Sequence, residues 1–182
     1  MEQHLLPHNE TTLAFLLAGR CYVTLERVVD GSRYTYRIEQ KTEEIDDPQS
    51  GQKVTKRHAF WFVALQMGAI DETRPRYLGV IDPATFRTTR GTAKNPSATA
   101  DSINLFGDTL RDLRAGRSNE THVRIFHCGR CARCGRALST PASILTGIGP
   151  ECCKEMGIKQ VDPSPALIEK IAALDGGQEQ KE

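Results

Sequence analysis

The chain has 182 residues, of which 38% are hydrophobic and 26% are charged, and its formal net charge at pH 7 is only +1. This composition is typical of an ordinary soluble globular protein, and the length fits one domain or one domain with a small appended module. No stretch is long and apolar enough to cross a membrane, and residues 1–10 lack the basic and apolar regions of a secretory signal peptide. We therefore expect a cytoplasmic protein with reduced cysteines and no membrane contact.

Positive charge is concentrated in the middle of the chain. Residues 74–136 carry twelve Lys and Arg against five Asp and Glu, whereas residues 1–50 carry five against nine. A basic segment between acidic ends can form a face for an anionic ligand, but an arginine-rich solvated surface gives the same pattern. Charge alone leaves both interpretations open.

The first part of the chain predicts a short helix and a β-hairpin. Residues 1–10 are expected to be a frayed lead-in, and the apolar run 13–18, closed by a glycine, predicts a short helix. Two runs of β-forming residues, 21–29 and 33–38, flank the turn sequence Asp30-Gly31-Ser32. This arrangement is typical of a β-hairpin.

Further strands are predicted after a charged segment. Residues 39–56 are rich in charges and turn formers and are expected to be an exposed loop. The most hydrophobic stretch, 58–67, predicts a central strand, and residues 76–81 and 86–89 predict two more strands joined by a turn. Residues 91–96 are expected to be a basic loop.

One long amphipathic helix is predicted next, with Ser97 or Thr99 as its cap. Its apolar face repeats at helical spacing: Ile103, Phe106, Leu110 and Leu113. A last strand, 123–126, leads into the cysteine-rich segment. We therefore predict an α+β fold in which an antiparallel sheet of hairpins is packed by one long helix and followed by a small treble-clef-like zinc module.

The predicted domain limits follow from this order of elements. Residues 11–126 are assigned to the sheet domain and residues 127–160 to the zinc-binding module. The proline-containing segment 161–165 is expected to break the chain before a short helix at 166–174 and a disordered tail, so residues 161–182 form the third part.

Clustered cysteines are the strongest chemical signal, since five of the six lie between residues 128 and 153. Cys131 and Cys134 form a Cys-x2-Cys pair followed by glycine, which is typical of a zinc knuckle. Seventeen residues separate Cys134 from Cys152, near the spacing at which small zinc modules return their remaining ligands. Pro150 suits the first position of a helix, and its dipole should favour a thiolate at Cys152.

The residues alone leave the fourth zinc ligand open between His127 and Cys128. Cys153 is a further alternate, but neighbouring cysteines at a helix start point about 100° apart, so that Cys152 and Cys153 do not readily share one metal. Glu155 occupies the usual position of a second ligand in the helix and is a poor partner for zinc beside three thiolates.

The segment from His127 to Cys152, HCGRCARCGRALSTPASILTGIGPEC, resembles the C-terminal zinc motif of an uncharacterised family of small proteins from phages, plasmids and actinobacterial genomes. Looser similarity in LLAGRCYVTL, FWFVAL and YLGVI extends the resemblance over roughly residues 13–153. The resemblance implies a Cys3His site made of His127, Cys131, Cys134 and Cys152. It implies that Cys128 and Cys153 are additional cysteines of this chain, and it supplies no biochemical function.

A second resemblance concerns the same glycines. Residues 144–153 are similar to the glycine hairpin of helix-hairpin-helix DNA-binding modules, in which backbone amides hold a phosphate. This interpretation leaves the cysteines unexplained, and the two arrangements can coexist.

No catalytic signature is present, because the chain lacks a phosphate-binding loop, an H-E-x-x-H helix and the deaminase zinc pattern. We therefore expect a structural Zn²⁺ and no enzymatic activity. We predict a nucleic-acid-binding protein of a phage or other mobile element. It is expected to bind DNA or RNA and to be stabilised by its zinc ion. The cationic side chains expected to contact phosphates are Arg114, Arg117, Arg130, Arg133, Arg136 and Lys154.

The alternative is a protein-interaction module that acts as an inhibitor or adaptor, for example against a host defence or replication protein. The near-neutral net charge and the acidic N-terminal hairpin fit this alternative equally well, with zinc stabilising a small fold. The sequence does not indicate the oligomeric state.

Overall fold

Seven strands form one sheet in the computed structural model, which describes residues 4–68, 75–82, 85–88, 100–160 and Pro165. The strands are β1 (His4–Leu6), β2 (Arg20–Arg27), β3 (Arg33–Asp46), β4 (Lys53–Gln66), β5 (Arg76–Ile81), β6 (Phe86–Thr88) and β7 (Val123–His127). Their order across the sheet is β1-β7-β2-β3-β4-β5-β6, and every neighbouring pair is antiparallel. The described helices are α1 (Glu10–Leu16), α2 (Ala100–Arg114), α3 (Pro141–Thr146) and α4 (Pro150–Glu155). Each of these helices is too short or too polar to cross a lipid bilayer.

The N-terminal segment contains a strand, which corrects the prediction of a frayed lead-in. His4 to Leu6 pair with His127 to Ile125 of β7, and Leu6 is almost fully buried. The side chain of Asn9 then accepts a hydrogen bond from the Thr12 amide and caps α1. A three-residue strand has too few positions to show a period of two, and its partner lies more than 100 residues away.

The longest strands extend into the segment 39–56 that was predicted as an exposed loop. β3 and β4 have 14 residues each and pair from Thr35↔Gln66 to Asp46↔Lys53, with an irregularity near Gln40. The outer half of this hairpin is exposed on both faces. Its sequence therefore has no apolar alternation, because neither face enters a core.

One face of the sheet carries the core. Alternate residues of the central strands are nearly inaccessible: Val23, Leu25, Tyr36, Ile38, Val63 and Leu65. Helix α2 packs here, since the Tyr36 hydroxyl donates a 2.7 Å hydrogen bond to the Ser102 carbonyl oxygen. Of the predicted apolar helix face, Phe106, Leu110 and Leu113 are buried and Ile103 is half-buried. The predicted cap residues and the basic loop 91–96 lie outside the described residues.

The cysteine-rich segment shares this core. Cys131, Ala132, Ile148 and Cys152 belong to the same buried cluster as the sheet side chains, and the Arg20 amide donates to the Ala132 carbonyl oxygen at 2.7 Å. The domain limits at 126 and 160 stay predictions, and the predicted helix 166–174 with its tail lies outside the described residues.

Candidate metal centre

A tight turn after β7 positions two of the cysteines. Gly129 and Gly135 have φ of 69° and 77°, in the left-handed region that glycine adopts without steric cost. Arg130 and Ala137 form a β-bridge, and the Cys131 amide donates to the Arg136 carbonyl oxygen at 2.8 Å. These contacts form a miniature hairpin that carries Cys131 and Cys134.

Two six-residue helices return the chain to this turn. Thr140 and Ser143 form a reciprocal capping box at the start of α3, where Pro141 occupies the first turn. No helix was predicted here, although the Thr-Pro-x-Ser pattern is a usable helix-start signal. Helix α4 begins at Pro150, as predicted, and carries Cys152 in its first turn.

Three thiols converge at this point. The sulfur atoms of Cys131, Cys134 and Cys152 all lie within 4.8 Å of one another, and only Cys134 is exposed. Ligands of a tetrahedral zinc ion are about 3.8 Å apart when each Zn–S bond is about 2.3 Å. A modest inward rotation of the side chains is therefore sufficient to hold a metal, and the all-sulfur donor set suits zinc.

The protein environment acts differently on two of these thiols. Burial raises the pKa of Cys131, but backbone amides, led by that of Gly149 at 3.3 Å from the sulfur, outweigh burial and lower it. Burial, followed by interactions with Cys134 and Cys131, raises the pKa of Cys152 to about 12. The favourable effect of the helix dipole on a Cys152 thiolate stays a prediction, since burial and the neighbouring thiols raise this pKa. A bound cation would supply the missing stabilisation of that thiolate.

A cavity of about 240 Å³ adjoins the three cysteines. Arg136, Ser139, Thr140 and Glu151 also line it. One water molecule occupies about 30 Å³ of the liquid, so the space is larger than a metal ion needs. Because Cys134 is exposed, the cysteine cluster is open to solvent on one side.

His127 is buried but is not part of the cysteine group in the described structure. Its Nε2 lies 2.7 Å from the Ile144 carbonyl oxygen, and its Nδ1 accepts a hydrogen bond from the Gly129 amide at 3.2 Å. The ring also packs against His4, with 5.1 Å between centroids. Burial lowers the pKa of His127 to about 4. Metal binding would require the ring to give up one of these hydrogen bonds, so the Cys3His ligand set stays a prediction.

Cys128 and Cys153, the alternates for the fourth ligand, also lie outside the group formed by the three convergent cysteines. The Cys153 thiol is buried and directed at the Ile148 carbonyl oxygen, 3.6 Å away, and burial raises its pKa. Cys128 is half-buried. Burial, followed by the nearby thiol of Cys128, raises the pKa of Cys21 on β2. Their assignment as alternates for the fourth ligand therefore stays a prediction.

The arginines of the cysteine segment surround the turn. Arg130 and Arg136 are exposed, as is Lys154, whereas Arg133 is half-buried. Carboxylates lie near two of them, because Arg133 is 3.4 Å from Glu155 and Arg136 is 3.7 Å from Glu151. Residues 126–157 carry four Lys and Arg against two Glu, so their local charge remains positive.

Two predicted nucleic-acid contacts lie at the end of α2. Arg114 donates a 3.1 Å hydrogen bond to the Asp82 carbonyl oxygen, and Arg117 donates twice to Asp112, at 3.0 and 2.6 Å. These contacts hold the two side chains against neighbouring parts of the sheet domain. Their role in binding nucleic acid stays a prediction.

In the glycine turn between α3 and α4, backbone amides donate hydrogen bonds to other atoms of the cysteine-rich segment. The Gly149 amide donates to the Cys131 sulfur, and the Ile148 amide donates to the Thr146 hydroxyl at 3.3 Å. A phosphate held in the manner of a helix-hairpin-helix module would compete with these bonds. The geometry therefore gives this turn a part in positioning the cysteines.

Comparison with known proteins finds a family match in the cysteine-rich segment. Residues 126–157 match the model of a family of unknown function, DUF6011. No curated protein and no solved structure matches the chain. The matched residues include the three convergent cysteines and the arginines around them. The chain thus contains a segment similar to an uncharacterised family, and this segment holds a cysteine cluster that can bind a metal.

Proposed function

We propose that the chain is a nucleic-acid-binding protein in which a structural Zn²⁺ fixes a small cationic module. The observation that carries this proposal is the convergence of Cys131, Cys134 and Cys152, on a turn that also bears exposed Arg130 and Arg136. Holding the thiolates at one point fixes the backbone between them. The arginines are then presented in a defined arrangement, which suits the regularly spaced phosphates of a nucleic acid.

A structural role for the metal fits how the cysteines are connected. Cys131 contributes its amide, its carbonyl and its sulfur to the hydrogen bonds of the turn, and Cys131 and Cys152 are buried in the shared core. Zinc binding is therefore expected to stabilise the fold directly. We propose that the protein is not an enzyme, and that His127 or solvent at the adjoining cavity completes the coordination.

The nearby carboxylates do not prevent phosphate binding. Arg136 and Glu151 are 81% and 85% exposed, and such surface ion pairs contribute about 0–1 kcal/mol. A phosphate that accepts two hydrogen bonds from a guanidinium can replace such a partner. The module's excess of positive charge favours this exchange.

A salt titration tests the proposal. Fluorescence anisotropy with labelled DNA and RNA, between about 50 and 200 mM salt, should show affinity that falls steeply as salt rises. The triple variant R130A/R133A/R136A should bind more weakly and reduce the slope of log K against log salt by about 2 to 3. The matched control R27A/R76A/R111A removes the same charge elsewhere and should retain the slope.

A protein partner is the second candidate, and the pairing of Arg133 with Glu155 favours it. This pair gives the module a mixed-charge face of the kind found at the polar rim of protein interfaces. Failure to bind any nucleic acid at low salt, together with capture of one salt-insensitive protein partner, would support this inhibitor or adaptor function and reject the first proposal.

A further inference from the structure

The second face of the sheet carries half-buried aromatic side chains. On the central strands, residues that alternate with the core positions point away from it. We call this side the outer face. Its aromatic residues are Tyr22, Phe60, Phe62, Tyr77 and Phe126, all of intermediate exposure. Because large rings on a solvated sheet face keep part of their surface available, they are candidates for contact with another molecule.

Four of the rings on this face form a connected row. The centroids of His58 and Phe60 are 5.2 Å apart, those of Phe60 and Phe62 are 5.3 Å apart, and those of Phe62 and Tyr77 are 6.0 Å apart. The row crosses from β4 to β5. Phe126 and Tyr22 lie on the same face of β7 and β2, separated from this row by the Arg37 and Glu39 side chains of β3. With about 4.8 Å between neighbouring strands, the rings from β7 to β5 span about 19 Å.

Cationic side chains lie over these rings. The ammonium of Lys41 is 4.7 Å from the centroid of Phe62, and the guanidinium carbon of Arg33 is 5.1 Å from that of Phe126. A base can stack on such a ring when the cation moves from the ring face to the adjacent phosphate. This pairing occurs at Phe62 on β4 and at Phe126 on β7.

The charge of the outer face is positive, although it is partly compensated. On β2, β3 and β7 the basic side chains of this face are Arg20, Arg33, Arg37, Lys41 and Arg124, and the acidic ones are Glu26, Glu39 and Glu43. Glu26 lies within 3.2 Å of both Arg33 and Arg124, and Glu39 lies 2.8 Å from Arg37. The excess of two positive charges complements an anionic ligand, and the acidic residues keep the arginines aligned over the sheet.

We propose that the outer face binds single-stranded nucleic acid by stacking its bases on Phe60, Phe62, Tyr77 and Phe126. This inference rests on the proposed nucleic-acid binding, which it specifies further. In a duplex the bases are stacked inside and do not reach a sheet surface, whereas unpaired bases present their rings. The cysteine module would then add phosphate contacts to a strand held by the sheet.

The test compares a labelled 12-nucleotide oligothymidylate with a duplex of equal length. We expect tighter binding of the single strand, and a loss of about tenfold or more in F60L/F62L, since each stacked base contributes measurably to affinity. F86L is the matched control, because Phe86 packs against Phe106 of α2 and not on the outer face. Circular dichroism verifies folding, and Y77L/F126L replaces the first variant if F60L/F62L does not fold.

The outcomes separate this inference from the proposed function. Unchanged affinity of the aromatic variants, with loss of binding in R130A/R133A/R136A, would overturn the outer-face site and leave the cationic module in place. Loss of binding in the aromatic variants alone would support the outer face and reject the module as the binding site. Absence of binding to every nucleic acid would overturn both.

Discussion

His127 shows how burial and hydrogen bonding fix the state of one side chain. The Gly129 amide donates to its Nδ1, so the ring must be neutral with its proton on Nε2, from which it donates to Ile144. A second proton on Nδ1 would face an amide hydrogen in a site that is 1% exposed. Burial lowers the pKa of His127, and the hydrogen bond to Ile144 offsets part of this effect.

This arrangement predicts a pH dependence of stability. The pKa of His127 is near 6.5 in the unfolded chain and about 4 in the folded protein. Between these pH values the unfolded chain binds more protons, so a fall in pH favours unfolding. His127 should therefore contribute a loss of up to about 3 kcal/mol in the free energy of unfolding across this range. Urea unfolding of wild type and H127Q at several pH values measures it, with H122Q as the control at an exposed histidine.

The same variant bears on metal coordination. If solvent completes the coordination, H127Q should lower stability but retain bound zinc, because the ring nitrogens are used by the backbone. Loss of zinc in H127Q, with wild-type circular dichroism, would instead show that the ring turns to the metal and would support the Cys3His ligand set.

At the level of elements, α3 is held against α1 by a glycine. Gly147 ends α3 with φ of 67°, and a Cβ there would collide with the ring of buried Phe15. Glycine therefore allows both the left-handed backbone conformation at this position and the close approach of the Phe15 ring. This contact fixes where the chain begins its return towards Cys152.

Replacement of Gly147 by Ala should therefore be costly. Backbone strain of about 1–2 kcal/mol and overpacking of about 1–3 kcal/mol should both lower the free energy of unfolding. G157A is the matched control, since Gly157 has φ of 68° with open space around it and should show only the strain. Equal melting temperatures of the two variants would contradict the proposed contact with Phe15.

Local patterns predicted the elements that depend on near neighbours. The β2–β3 turn, the strand at Arg76–Ile81, the knuckle pair Cys131 and Cys134, and a helix starting at Pro150 follow from short sequence signals. The features that depend on long-range contacts could not be predicted from the sequence. β1 exists through pairing with β7, and the ring of His127 is oriented by Ile144 and His4.

At the scale of the whole molecule, the cysteine segment and the sheet are stabilised together. Their side chains share one buried cluster, and the segment continues directly from β7. Metal removal should consequently lower the stability of the sheet as well as that of residues 127–160. The shared core also places the cationic turn in a fixed position relative to the sheet.

We propose that Cys131, Cys134 and Cys152 hold a zinc ion. The most direct measurement is the metal content of protein purified under reducing conditions, by native mass spectrometry and elemental analysis. We predict one zinc per chain in the wild-type protein. C134S should lose this zinc, and the change opens no cavity because the Cys134 side chain is exposed. C128S should retain the zinc. Wild-type protein without metal, or full zinc occupancy in C134S, would contradict the account.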